Sequence, residues 1–315
     1  MMSGVESDIE IAKRNLSEQL LNNSCRGIAV GLSDDGFQRQ ICWIMGRSPP
    51  SRNRAYDVID DDANPEVQAL RTQVADRSQD TGGIDPQMLI YSAMSTFCNG
   101  REFVNVVSNG DHTDTAIGFI KANSSLGFPL YGALFGALEE RICEPDPPIF
   151  TPRILGLQTG RYLENVYLGI VKANPWAKAH WIDTIRRAGD RDITLDSFRK
   201  EGRSALDVTR AYNAEIDKLS GLDHRRFPSF RTFYDFQVKP GFGYALLTYK
   251  PNSLKTLDSF EGEPFLVPFS GRLEDVMRMF WSGLLEDCKV SIGGRDIEQE
   301  GKVRMADPIN KYKIK

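Results

Sequence analysis

Only three histidines and five cysteines occur in 315 residues, and none stands at the spacings that zinc sites use. There is no CxxC pair, and no two histidines are placed to share a helical face. A zinc-organised module is thereby excluded, and neither a metal nor a cofactor is expected. Cys25, Cys42, Cys98, Cys143 and Cys288 are odd in number and irregularly spaced. The N-terminus carries no basic-then-apolar leader, so they read as reduced thiols of a cytoplasmic chain. No apolar run is long enough to span a bilayer, which speaks against a membrane partner. Basic residues do not predominate either. A formal charge of −4 and a pI near 5.6 exclude a general pull toward nucleic acid, so any phosphate recognition must be local. What remains, 41% hydrophobic and 26% charged residues, is the composition of a globular protein with one large core.

The order of elements is written in the periodicities. Ser3 to Glu6 has capping-box spacing, and Val5, Ile9, Ala12, Leu16 and Leu20 recur helically, predicting an N-terminal helical extension over 1–24. Gly27 to Leu32 and Phe37 to Met45 read as a strand pair about the turn Ser33 to Gly36. The stretch from Asp57 to Gly83 is polar and offers no element, whereas Asp85-Pro86 predicts a helix start running to about Phe97. Phe103 to Val107 follows as a strand, then helices over about 113–123 and 129–142, then strands over 153–157 and 166–172. Asn174-Pro175 opens a charged helical segment that continues through Leu195 to Leu219, read as an insertion over about 174–221. Strands over 231–238 and 244–249, an amphipathic helix over 273–285 and a strand at 289–292 complete one domain over 25–300, leaving a tail at 301–315. Strand runs alternating with helix pairs predict an α+β protein: a four-layer α/β/β/α sandwich with mostly antiparallel sheets.

Four segments could carry chemistry. The loop from Gly46 to Arg54 sets Arg47, Arg52 and Arg54 among small residues, and arginine's planar fork suits phosphate and carboxylate oxygens. A solvated loop shaped by Pro49-Pro50 is the alternative. From Val107 to Thr115 a strand runs through Asn109-Gly110 into a helix start rich in polar groups, with His112, Thr113 and Asp114. Such a junction favours an anion or a polar heterocycle, the alternative being ordinary capping by Asp111 or Thr113 with His112 exposed. Cys143 to Asp146 and Thr151 to Ile154 bring Glu144 and Arg153 onto a loop entering a strand, suited to proton transfer or to a plain surface salt bridge. Tyr91, between Ile90 and Ser92, is either a site phenol or core packing.

In this order, Gly27-Ile28-Ala29-Val30-Gly31, the arginine loop ending Asn53-Arg54, Asp85-Pro86 with Tyr91, the run Ser108-Asn109-Gly110-Asp111-His112-Thr113-Asp114-Thr115, and Thr151-Pro152-Arg153-Ile154 resemble the archaeal-type IMP cyclohydrolase family. The resemblance covers roughly residues 26–172 and is most specific in the Ser108 to Thr115 run. It implies a fold like that of the N-terminal nucleophile hydrolases, without their catalytic N-terminal residue. The implied reaction is closure of a formamido imidazole carboxamide ribotide to inosine monophosphate. By the same resemblance Arg54, Tyr91 and Glu144 would be catalytic. Arg47, Arg52, Arg153 and the turn with Asn109, His112, Thr113 and Asp114 would hold the ribotide. A small purine ribonucleotide is the expected partner, and a homo-oligomer is left open. Two rivals stand beside this reading: a nucleotide-binding protein without turnover, and an amidohydrolase whose nucleophile is Cys25 after loss of 1–24.

Overall fold

The computed structural model describes residues 26–32, 38–45, 54–60, 68–74, 89–99, 102–123, 130–140, 142–148, 150–160, 165–237, 242–248, 269–272, 288–292, 297–299 and 303–305. The predicted N-terminal helix, the helix over 273–285 and the turn at 33–36 lie outside them.

Seven strands form the larger sheet: β3 (Arg54–Asp60), β4 (Gln68–Val74), β5 (Ser92–Asn99), β6 (Glu102–Ser108), β7 (Arg153–Gly160), β8 (Asn165–Ala173) and β9 (Ser229–Gln237). They stand side by side in chain order, each antiparallel to the next. A second sheet, ordered β11-β10-β1-β2-β12, joins β1 (Arg26–Leu32) and β2 (Gln38–Met45) to β10 (Phe242–Thr248), β11 (Phe269–Arg272) and β12 (Cys288–Ile292). A short hairpin, β13 (Ile297–Gln299) with β14 (Val303–Met305), forms a separate two-stranded sheet lying against β12.

Alternation fixes how these layers pack. Ile28, Val30, Leu32 and Cys42 of the smaller sheet meet Met94, Val107, Ile154, Val166, Leu168 and Ile170 of the larger one in a buried core. On the opposite face of the larger sheet, Val104, Val106, Leu155, Leu157 and Val171 receive α1 (His112–Asn123) and α2 (Leu130–Glu140) through Ala116, Ile120, Leu134 and Leu138. Burying each large aliphatic side chain here is worth about 1.5–3 kcal/mol. Ala29 and Ile41, on the far face of the smaller sheet, are buried as well, so that face too lies inside the molecule, as a four-layer sandwich requires. The protein is α+β with antiparallel sheets, and no helix among the described residues is long and apolar enough to cross a membrane.

Three expectations are corrected. Of the segment read as a helix from Asp85 to Phe97, the residues from Ser92 onward form the strand β5, with Tyr91 on the chain just before it; Asp85 and Pro86 lie outside the described residues. Ser92-Ala93-Met94-Ser95-Thr96 carries little β-branching, but insertion between β4 and β6 overrides local propensity. The polar stretch after Asp57 contains most of β3 and all of β4, whose polar residues alternate with Leu70 and Thr72. The helix read over Leu195 to Leu219 is a short turn at Leu195–Phe198 followed by α4 (Ala205–Ser220), capped by Ser204 at its start and by left-handed Gly221 at its end. The helix before it, α3 (Pro175–Gly189), begins as expected: Asn174 caps it by accepting from the amides of Trp176 and Ala177.

Candidate functional site

Strand register gathers the predicted segments at one end of the sandwich. Thr72 pairs with Tyr56 and takes a backbone hydrogen bond to the Tyr91 carbonyl at 2.9 Å. Two rows farther in, Leu70 stands opposite Met94, Met94 opposite Val107 and Val107 opposite Gly156. Tyr91 therefore lies near the row of Asn109 and Ile154, joined by Asn109 N–H donating to the Ile154 carbonyl at 3.2 Å. The smaller sheet meets this end through Cys42, whose thiol contacts the Ser108 carbonyl at 3.7 Å and whose carbonyl accepts from the Tyr56 hydroxyl at 3.4 Å. β2 leaves and β3 enters the sandwich here, so Arg54 begins its strand at the same end.

The turn between β6 and α1 is tied down by its own polar groups. Asn109 is buried and bonded within the chain: its Nδ2 donates to the Pro152 carbonyl at 3.0 Å and its Oδ1 accepts from the Ile154 amide at 2.8 Å. It staples β6 to the start of β7. Ser108 Oγ lies 2.8 Å from Thr113 Oγ1 and donates to the Gly110 carbonyl at 2.5 Å, closing the turn onto the first turn of the helix. Gly110 has no side chain because Arg153 occupies the space: a Cβ there would lie 2.6 Å from Arg153 Cζ.

Arg153 is the unusual charge of the site. Its side chain is 8% exposed. The Nε hydrogen finds no acceptor among the described residues. Its ion-pair partner there is Asp111, whose Oδ1 lies 3.7 Å from Arg153 Nη2 and equally 3.7 Å from His112 Nδ1. That separation is too long for a hydrogen bond. A buried guanidinium so loosely matched, beside the N-terminus of α1, has the chemistry to receive an anion.

Glu144 enters from the adjoining loop. Its amide donates to the Thr151 carbonyl at 2.8 Å, while Asp146 accepts from the amide and hydroxyl of Thr151, both at 2.6 Å, so the loop is closed on itself two residues before Arg153. Glu144 is 3% exposed. Neighbouring Cys143 is equally enclosed, and burial pushes its thiol up to about 11, with the Asp146 carboxylate adding to the effect and the Ser229 hydroxyl opposing it. Phe150, in a left-handed conformation at φ 50°, is held by stacking on Phe227 at 3.8 Å and by the edge of Trp181 at 5.7 Å. Through Trp181, Ile216 and Phe227 the helical segment packs against the loop that carries Glu144.

A model of the IMP cyclohydrolase-like protein family matches residues 24–227, from the approach to β1 through α4. The chain belongs to that family. A search of the curated proteins finds no match.

The residues expected from the family resemblance fall into three groups. Asn109, His112, Thr113 and Arg153 are brought together around the start of α1, all of them buried, and Glu144 is buried on the loop that leads into β7. Asp114 is exposed on the first turn of that helix, and His112, expected on the surface under ordinary capping, is 1% exposed. Thr113 directs its hydroxyl to Ser108. Tyr91 lies at the same end but on the other face of the larger sheet, in the core between the sheets with Tyr56. Arg54 is placed by its backbone alone, and Arg47, Arg52 and Cys25 lie outside the described residues. Sequence reasoning took the turn from Asn109 to Asp114 as one polar unit and missed that Ser108 closes it and that Gly110 makes room for Arg153. At the end of the helical segment, Asp217, Asp223 and His224 present three donor atoms within 4.8 Å. They are already committed to closing a turn: Asp217 accepts from the His224 amide at 2.8 Å and ring Nδ1 at 2.7 Å, and Asp223 accepts from the Arg225 amide at 2.9 Å.

Proposed function

We propose that the protein is an IMP cyclohydrolase, closing 5-formamidoimidazole-4-carboxamide ribotide to inosine monophosphate with loss of water. The carboxamide nitrogen attacks the formyl carbon, the formyl oxygen becomes the hydroxyl of a carbinolamine, and that hydroxyl departs as water while the ring nitrogen loses its proton. Nothing is oxidised or transferred. The attack is intramolecular, so holding the formyl group against the carboxamide can supply up to roughly 7–11 kcal/mol of the barrier reduction. Proton movement and oxyanion stabilisation make up the rest.

The observation that carries this reading is Arg153. A nine-tenths buried guanidinium with an unmatched Nε hydrogen, at a helix start, supports binding of the ribotide phosphate or the developing oxyanion. Glu144, buried on the loop whose backbone pairs with Thr151, two residues before Arg153, is assigned proton transfer. Tyr91 and Arg54, brought to the same end, are assigned protonation of the departing hydroxyl and charge stabilisation, with Arg47 and Arg52 on the ribotide.

Ring closure followed by ultraviolet absorbance on the synthetic formamido ribotide tests the assignment. The wild type is expected to convert it, Glu144→Gln and Tyr91→Phe to lower kcat, and Arg153→Lys to raise KM, since an ammonium lacks the fork. Wild-type binding without turnover makes the protein a nucleotide binder. Failure to bind ribotide at all removes the reading.

A further inference from the structure

β9 is the last strand of the larger sheet. One edge pairs with β8 in unbroken register from Asn165 opposite Gln237 to Ala173 opposite Ser229. The other edge has no strand partner among the described residues. A nine-residue strand without proline or bulge, written Ser-Phe-Arg-Thr-Phe-Tyr-Asp-Phe-Gln, opposes edge pairing with only two charges, Arg231 and Asp235. Its apolar character continues onto the neighbouring helix: Phe135 of α2 stacks on Phe233 at 4.0 Å and remains 39% exposed, and Tyr131, 46% exposed, packs edge-on against Phe135.

Opposite charges and a pair of phenylalanines stand at equal distances on either side of Phe233. Moving outward, Thr232 answers Tyr234, Arg231 answers Asp235 and Phe230 answers Phe236. Antiparallel pairing of β9 with β9 of a second molecule, about a two-fold axis at Phe233, sets each Arg231 opposite Asp235 of the other copy. Arg231 is tied to α2, where its Nε also lies 3.7 Å from Glu139 Oε1. Its Nε donates to the Leu138 carbonyl at 2.6 Å and its Nη2 to the Glu139 carbonyl at 3.1 Å, at the end of α2. Asp235 is exposed on the same face of the strand. Shifting the register by two residues in either direction loses both opposite-charge pairs, so the charges specify one alignment.

We propose that the β9 edge, with the aromatic face of α2 beside it, is the dimer interface of this protein, joining two seven-stranded sheets into one continuous sheet. Two cross-strand ion pairs and a central Phe233 pair supply the specificity, and the backbone hydrogen bonds of the two edges supply the closure.

Sedimentation velocity on the full chain over a range of concentrations tests this, beside Asp235→Lys. That substitution changes an exposed residue and places a cation opposite Arg231 at two symmetric positions. The wild type is expected to be a dimer, and Asp235→Lys to weaken association roughly tenfold or more while keeping its circular dichroism. Hydrogen exchange of the peptide 229–237 supplies an independent reading: its protection should fall as the wild type is diluted through dissociation. A wild type that is monomeric throughout overturns the proposal. So does a dimer that Asp235→Lys leaves equally tight and in which exchange at 229–237 ignores dilution.

Discussion

Gly110 and Arg153 occupy one another's space, and this pairing sets what substitution at the turn can do. An alanine at 110 must displace the guanidinium, whose flexible end can move, without disturbing the backbone bonds from Asn109 to Pro152 and Ile154. Gly110→Ala is therefore expected to raise the KM for the ribotide by about tenfold or more, the value of a charge-assisted contact of about 1.5 kcal/mol or more, with little change in the urea midpoint. Asn109→Ala should behave in the opposite sense, leaving a buried carbonyl and amide unpaired and lowering stability by roughly 2–4 kcal/mol. Comparing KM and denaturation midpoints for the two variants separates a binding role from a structural one. The turn itself was legible in Asn109-Gly110 followed by a helix start. The division of labour inside it was not, because the partners of Asn109 lie 43 and 45 residues along the chain. Nothing local says that the asparagine is spent on β7 or that His112 turns inward.

Among the elements, strands with clean apolar alternation or runs were readable, and β1, β2, β6, β7 and β8 are where their patterns placed them. β5 was not, since a short run of Ala, Met, Ser and Thr behind Asp-Pro carries a helical signature that only its two flanking strands overrule. The charged segment from Asn174 was legible as helical, but its relation to the site was not, because Trp181 looks like any apolar helix residue until Phe150 and Phe227 are set against it. That contact makes the segment a buttress for the Glu144 loop. Trp181→Ala should cost about 3–5 kcal/mol and lower kcat more than it raises KM, because the carboxylate loses its fixed place. Trp181→Phe should recover most of both. The indole N–H has no acceptor among the described residues to lose, so a phenyl ring supplies the same kind of edge contact. Steady-state kinetics with urea denaturation on both variants decides this, and an Ala variant with full kcat would detach the helices from the chemistry.

For the whole molecule, the two sheets are built by different rules. The seven-stranded sheet is a run of neighbours in chain order, whereas the smaller sheet takes β1 and β2 from the start of the chain and β10 to β12 from beyond Gln237, with Arg26 standing opposite Thr248. A chain ended after Gln237 keeps every strand of the larger sheet and both helices on its outer face, but only a hairpin to cover the inner one. Such a truncation should retain much of its far-ultraviolet circular dichroism, lose near-ultraviolet signal and bind the dye ANS strongly. A truncated chain with native near-ultraviolet signal and no dye binding would show the larger sheet sufficient by itself. The asymmetry reaches into synthesis. As the chain leaves the ribosome the larger sheet can add each strand to the one before it, while the β1–β2 hairpin, made before it, must wait beside its exposed apolar face until β10 to β12 have been translated. That interval is when a holdase chaperone would find this chain, and the hairpin is what it would grip.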